Sequence, residues 1–400
     1  MERMLPSEEA ARRLGVKVAT LYAYVSRGLL ESHPEPAGRR RLFALDDIEQ
    51  LAARRRGGRT VESRLATITT GVTQLRSDGP FYRGRAAASL IGTMTFEAVA
   101  ALLWQSEVGG EWTSPVLGPC PLLHTSDRMR WALVMCGAGD PLRSDLRPEA
   151  VTRAARRVVA ALTDAVGPAP APEHPESEDP ASPIALRLAR RLGGNRDGDG
   201  DRASLSSAPL SAAAVDAALI LMADHELATS TMAVRIAAST RADVYDALLA
   251  GLATMAGPLH GGASQQAYEL LVAVERDGAP RALDNALRWH RRLPGFGHTI
   301  YRERDPRFAA LLALAEPLLS DERRRLLHEV LALARDHNVP VPNCDLALAA
   351  LSWGTGMPPD AGRTIFTVAR VAGWTAHYLE ELAERPLRFR ARAVYSVQRA

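Results

Sequence analysis

Lysine is almost missing from this chain. Lys17 is the only lysine among 49 basic residues; the rest are arginine. Arginine grips carboxylates and phosphates through a planar fork, although genome composition can produce the same bias. Cysteine is nearly as scarce. Cys120, Cys136 and Cys344 form an odd, scattered set, which excludes a disulfide framework and metal-type spacing and is read as a reducing cytoplasm. Charge of one sign is not in excess either. A net charge of +3 excludes a bulk nucleic-acid coat. No apolar run is long enough to span a membrane, and the start, MERMLPSEEAARRLGV, lacks the apolar stretch of a signal peptide. What remains is 400 residues, 46% hydrophobic and 24% charged. That composition implies a soluble globular protein with more than one domain.

The first segment, 1–60, reads as a small module. SEEAARRLGV starts on a serine cap followed by glutamate and carries apolar residues at helical spacing, with Gly15 as its stop. KVATLYAYVSRGLL is a second short helix, HPEPAGRRRLFAL a basic loop or wing, and DDIEQLAARRR a third helix. Helix, tight turn, helix, basic wing and helix is a winged helix-turn-helix pattern.

Beyond Arg64, RLATITTGVTQLRSDGPFYRGR has short strand-like runs between turn residues. From Thr95 onward helices dominate. FEAVAALLWQ, PEAVTRAARRVVAALTDAV, SAAAVDAALILMADHELATST, ADVYDALLAGLATMAG, ASQQAYELLVAVERDG, PRFAALLALAEPLL and TIFTVARVAGWTAHYLEELAE carry the helical apolar spacing. The stretch 163–204 is rich in Pro, Gly and acid, and reads as an extended, mobile connection. Its Asp197, Asp199 and Asp201 alternate like a calcium loop, but the twelfth position is Ala208, not glutamate. The expected fold is mainly α: one large helical domain, a smaller one near 260–345, and the module in front.

Three histidines stand beside short or charged residues: His225 in MADHELATST, His260 in GPLHGGAS and His298 in PGFGHTIYRERDPR. His260 lies where the helix ASQQAYELLVAV begins. The positive end of a helix dipole disfavours imidazolium, and a neutral ring still donates a hydrogen bond to a carbonyl becoming an enol. Gly295 and Gly297 allow a ligand close approach to His298. Arg307, set by Asp-Pro at a helix start, suits an anionic substrate; Arg302 and Arg304 read as surface charge. Asp345, in PNCD ahead of an apolar run, is a carboxylate whose desolvation would raise its basicity, or simply the cap of the following helix.

MADHELATST, GPLHGGAS, PGFGHTIYRERDPR, PNCD and FTVARVAGWTAHYLEEL follow one another in the order seen in citrate synthases, and FYRGR ahead of TFEAVAALLW resembles the start of that family's chain. The resemblance runs from about residue 64 to the end. It implies a large domain over 64–259 and 346–400 and a small domain over 260–345. It also implies a homodimer that condenses acetyl-CoA with oxaloacetate and hydrolyses the thioester, without metal or cofactor. Asp345 would be the base, His260 the donor to the enol oxygen, and His298 the donor to the oxaloacetate carbonyl. His225, Arg307 and Arg370 would bind oxaloacetate, joined by Arg390 from the partner subunit. Coenzyme A would meet Leu293, Pro294, Gly295, Phe296 and Gly297, with Arg291 and Arg292. Leu227-Ala228-Thr229-Ser230 and Leu346-Ala347 depart from the family pattern and leave open a 2-methylcitrate synthase using propionyl-CoA.

The first module resembles the DNA-binding domain of the MerR and excisionase families. That implies Lys17, Thr20, Tyr24 and Arg27 in a major groove, with Arg39, Arg40 and Arg41 on phosphates. Residues 1–60 hold about 12 basic and about 8 acidic side chains, an excess in the right direction. A regulator that keeps the synthase body as a metabolite sensor is the rival reading; a sensor needs the binding residues but not the base.

Overall fold

The run SEEAARRL folds as helix α1 (Ser7–Leu14), with Glu8 and Glu9 in its first turn and Arg12 and Arg13 in its last, the order that the helix dipole favours. Gly15 ends it in the left-handed region at φ 63°. The expected serine cap does not form. Pro6 takes the N-cap place with extended backbone, and the Ser7 hydroxyl instead lies 3.0 Å from the Tyr22 hydroxyl and donates to the Arg41 carbonyl at 3.2 Å. Helix α2 (Val18–Ser26) follows. Strands β1 (Met4–Pro6), β2 (His33–Pro34) and β3 (Arg41–Ala44) pair antiparallel in the order β1-β3-β2. Leu5, Ala10, Leu14, Leu21, Phe43 and Ile48 close a small core between them.

This computed structural model describes residues 4–26, 30, 32–34, 41–45, 47–48, 68–118, 120–167, 182–193, 203–257, 260–290 and 292–390. The third helix of the module therefore falls almost wholly outside the described residues, as do Arg27, Arg39, Arg40, Arg291 and the aspartates at 197–201. The chain divides into the units Met1–Thr69 and Thr70–Ala400.

The second unit opens with an antiparallel meander, β4 (Thr73–Arg76), β5 (Gly79–Tyr82) and β6 (Arg85–Ala86). Helices follow: α3 (Phe96–Trp104), α4 (Thr125–Ala138), α5 (Pro148–Asp164), α6 (Ile184–Leu192), α7 (Ala203–Met222), α8 (Thr229–Ser239), α9 (Val244–Met255) and α10 (Ala263–Asp277). The chain continues through α11 (Ala279–His290), α12 (Pro306–Ala315), α13 (Asp321–Asp336), α14 (Cys344–Thr355) and α15 (Ala361–Leu382). No helix among the described residues is long and apolar enough to cross a membrane.

Two expectations change. Part of the stretch read as an extended connection is α6, whose Ile184, Leu188 and Leu192 are buried and whose Arg187 grips Asp164 at 2.6 Å. The apolar pattern there is helical, but short, and the flanking Pro-rich sequence hides it. The run SAAAVDAALILMADHELATST is also not one helix. Tyr82 reaches in from β5 and donates to the carbonyls of Ile220 and Leu221 at 3.0 and 3.1 Å, so α7 stops at Met222 and a turn precedes α8. Glu226 takes φ 55° in that turn, and Asp224 accepts its N–H at 3.0 Å.

The second unit has two apolar cores. The larger joins α3 to α9 and α15 around residues such as Phe96, Val158, Leu219, Leu248 and Trp374. The smaller gathers Leu271, Leu283, Leu293, Leu327 and Val330 from α10 to α13. Helix α14 serves both. Cys344, Ala347, Leu348 and Leu351 face the larger core, while Leu346, Ala349, Ala350 and Trp353 face the smaller. A helix buried on both sides has no polar stripe, and its sequence has none.

Candidate active site

The start of α14 lies where the two cores meet, and Asp345 sits in its first turn. Asn343 caps the helix by accepting the Asp345 N–H at 3.0 Å, and its amide donates to the Gly297 carbonyl at 2.8 Å. The Asn343 N–H donates to the Gly295 carbonyl at 2.9 Å, and the Gly297 N–H to Val341 at 2.8 Å. These bonds lace PGFGH to PNCD, forty-odd residues apart in sequence. Gly295 has φ 81°, and a Cβ there would come within 2.8 Å of Leu346 Cβ. Leu293 and Phe296 are buried in the smaller core, whereas Arg292 is exposed.

Asp345 keeps some accessible surface but is crowded by protein. That burial pushes its carboxyl up to about 6, with Arg307 opposing and Asp305 assisting. Asp305, at the N-cap of α12, explains how Arg307 is held. Its Oδ1 accepts the backbone and Nε hydrogens of Arg307, both at 3.0 Å; its Oδ2 accepts Arg307 NH2 at 2.9 Å and the Cys344 N–H at 3.1 Å. This carboxylate fixes the arginine against the start of α14. Arg302 and Arg304 are exposed.

The histidines collect around the same charge. The His298 ring lies 5.3 Å from that of His225 and 4.9 Å from that of Tyr301, and Arg307 lies over the Tyr301 ring. His298 Nδ1 accepts the N–H groups of Ile300 and Tyr301 at 3.1 and 3.2 Å. The proton of the neutral ring is thereby assigned to Nε2. Burial, then Arg307, lowers the pKa of His298. Burial, then Arg307 and Arg370, holds His225 well below the usual range. The buried His225 Nε2 and Tyr301 hydroxyl, on neighbouring rings, have no protein partner among the described residues. His260, just ahead of α10, is also lowered, by burial and then Arg370. Its Nε2 lies 2.8 Å from Ser230 Oγ, which accepts Trp374 Nε1–H at 3.2 Å.

Arg370 is buried in α15. Its Nε donates to the Met222 carbonyl at 3.0 Å, and it stacks over Phe366. Trp374, His377 and Glu381 follow on the same face of the helix. His377 Nε2 faces Asp224 Oδ2 at 3.3 Å, while His377 Nδ1 meets Arg235 at 2.9 Å. Arg235 pairs with Glu380 and Glu381, and Arg388 also binds Glu381 at 2.6 Å. This buried network fixes the turn that presents His225. Gly373 lets α15 pass over that turn, since a Cβ there would sit 2.2 Å from Asp224 Oδ1. Arg390 is exposed. Among the described residues, no group of three or more His, Cys, Asp or Glu could hold a metal ion.

Asp345, His225, His260, His298, Arg307 and Arg370 thus share one electrostatic neighbourhood. Asp305, Asn343, Tyr301 and Trp374 were not singled out by sequence, and Ser230 was named only within a departure from the family pattern. Asp-Pro at 305–306 was the one visible signal, as a helix start. In the first unit Lys17 and Arg41 are exposed and Thr20 is half-buried. Tyr24 packs against the inner cluster, and Tyr22 is the more exposed tyrosine.

The fold and site define a mainly helical protein with a buried cluster of arginines, histidines and a carboxylate, and a helix-turn-helix module earlier in the sequence. The family described as "Citrate synthase, C-terminal domain" matches residues 117–392, and "Helix-turn-helix domain" matches 4–56. The chain belongs to the citrate synthase family. It is 35% identical over 195 residues to a citrate synthase of Saccharolobus solfataricus, covering 46% of this chain and 51% of that one. It is 35% identical over 172 residues to a 2-methylcitrate synthase of Shewanella oneidensis, covering 42% and 46%. The match thus spans about half the length of these curated relatives. A citrate synthase from Thermoplasma acidophilum, solved as a ternary complex with carboxymethyl coenzyme A and oxaloacetate, has the same fold. Its TM-score is 0.68 at 20% identity, over 85% of this chain and 97% of that one.

Proposed function

We propose that the protein condenses acetyl-CoA with oxaloacetate and hydrolyses the resulting thioester to citrate and coenzyme A. One observation carries this reading: a carboxyl raised to about 6 lies beside Arg307 in a site that also gathers neutral histidines and a second buried arginine. Ionised at neutral pH yet more basic than an ordinary aspartate, Asp345 removes a proton from the acetyl methyl group. His260 donates a hydrogen bond to the thioester oxygen as negative charge develops there. His298, with its proton on Nε2, donates to the oxaloacetate ketone and makes its carbon electrophilic. The new carbon–carbon bond forms between them. Water then cleaves the thioester, giving a carboxylate and free thiol. Arg307, Arg370 and His225 hold the dicarboxylate. Coenzyme A runs along Leu293–Gly297. The reaction needs only its two substrates, water and these side chains.

The same reading takes 64–259 with 346–400 as the large domain and 260–345 as the small one, closing over the substrates to exclude water. The two apolar cores support that division. A second copy of the chain completes the site. Arg388 is engaged by Glu381 of its own chain, which favours exposed Arg390 over it as the cross-subunit arginine. The helix-turn-helix match and exposed Lys17 and Arg41 support DNA as a further partner, and three free cysteines suit a reducing cytoplasm. The test follows free-thiol release from purified protein with oxaloacetate and either acetyl-CoA or propionyl-CoA. Release with acetyl-CoA is expected; none with either ester at high protein concentration would leave the sensor reading standing. One methylene in an apolar pocket changes selectivity by only about 1–3 kcal/mol, so both esters belong in the assay.

A further inference from the structure

Helix α15 ends at Leu382, and the chain beyond it is tied down at successive points. Arg241 donates to the carbonyls of Glu381 and Glu384 at 3.2 and 2.7 Å, which sets a cation at the helix end. The Leu387 N–H donates to the carbonyl of Ser239, at the end of α8, at 2.8 Å. Arg388 then forks onto Glu381, Nε to Oε1 and Nη2 to Oε2, both at 2.6 Å. Leu387 takes φ 55°, in the left-handed region that leucine disfavours, and is 69% exposed. Little packing of its own offsets that conformation, so the ties on either side hold it.

Glu381 is the fixed end of this clasp. It is fully buried, and its Oε2 also accepts from Arg235 Nε at 2.9 Å. Arg235 is buried as well, and through His377 it reaches Asp224, the residue before His225. A buried carboxylate stays where its cations are, so Arg388 docks against a point that cannot shift. Two residues further on, Arg390 is exposed and has no hydrogen bond or ion pair among the described residues. Two residues of chain reach at most about 7 Å, so pinning Arg388 also places Arg390.

We propose that Glu381 and Arg388 are positioning residues that set the tail so that Arg390 enters the oxaloacetate site of the partner subunit. One buried cluster then serves two sites. Through Asp224 it holds the His225 turn of its own site, and through Arg388 it holds the arginine lent to the other. The ligand and the cross-subunit place of Arg390 rest on the condensation reading; the clasp does not.

The test compares full-length variants by oxaloacetate calorimetry and by thiol release. Arg388→Ala leaves Glu381 paired with Arg235, yet Kd and KM for oxaloacetate should rise about tenfold, with KM for acetyl-CoA within about twofold. Arg390→Ala should do at least as much, and adding Arg388→Ala to it should change little, because one arginine acts through the other. Should Arg388→Ala fail to fold, Arg388→Lys keeps the charge without the fork and should raise both oxaloacetate constants about threefold. A hybrid dimer of one Arg388→Ala and one Asp345→Ala subunit, purified through a different tag on each, shows which site the tail serves. Its only site with a base receives the intact tail of the other subunit, so KM for oxaloacetate should return to the wild-type value. A hybrid that keeps the raised KM, no hybrid recoverable through both tags, unchanged oxaloacetate constants in the folded Arg388 variant, or additive losses in the double variant each overturn the proposal. Calorimetry needs no turnover. A wild type that binds oxaloacetate but releases no thiol, beside an Arg388→Ala protein that binds about tenfold more weakly, would therefore defeat the condensation reading and leave the clasp intact.

Discussion

Replacing Asp345 with asparagine should make the protein more stable and less active, by an amount that depends on pH. Its carboxyl is raised from 3.8 to about 6 because ionisation is disfavoured in that crowded position. At about 1.4 kcal/mol per unit the ceiling is about 3 kcal/mol; partial exposure brings the expected gain to about 1–2 kcal/mol. For an acid raised in the folded state the penalty is complete above about pH 6 and fades as pH falls toward the unfolded value near 4. Asparagine carries no such penalty. Asp345→Asn should therefore melt about 2–4 °C above wild type at pH 8 and almost level with it near pH 4. Turnover should fall by about a thousandfold, because the base is gone. Thermal melts across that pH range, run beside thiol-release rates, read both effects. A variant no more stable at pH 8, or one that retains turnover, would refute the reasoning.

Other outcomes follow from the same contacts. Asp305→Asn should loosen Arg307, raising KM for oxaloacetate about tenfold or more and costing about 2–4 kcal/mol in urea unfolding, since a buried guanidinium loses its anion. Tyr82→Phe removes the hydroxyl that ends α7 and should cost about 1–3 kcal/mol by denaturant melts. Gly373→Ala should cost at least about 2 kcal/mol and abolish oxaloacetate binding by calorimetry, because its Cβ would collide with the turn carrying His225. Wild-type kcat/KM should fall about tenfold per unit below pH 6 as Asp345 takes up a proton.

Much of the fold was legible because it is written in local periodicity. The spacing in PEAVTRAARRVVAALTDAV and TIFTVARVAGWTAHYLEELAE gave α5 and α15 close to their observed bounds. The break between α7 and α8 was not legible, because its cause is Tyr82, some 140 residues earlier. Helix α6 was lost between Pro- and Gly-rich flanks. The site shows the same division. His225, His260, His298, Arg307 and Asp345 stood out beside glycines, prolines and charges. Trp374 read only as an apolar residue of a helix, and Ser230 lies 144 residues away from it. Such pairings exist only once the chain has folded.

The most direct measurement of the central claim is the product itself. Carbon-13 NMR of a reaction containing oxaloacetate and methyl-labelled acetyl-CoA should show labelled citrate accumulating in step with free thiol, and neither with Asp345→Ala, while that variant still binds oxaloacetate. Thiol release without labelled citrate, or citrate formed at the wild-type rate by Asp345→Ala, would contradict the account.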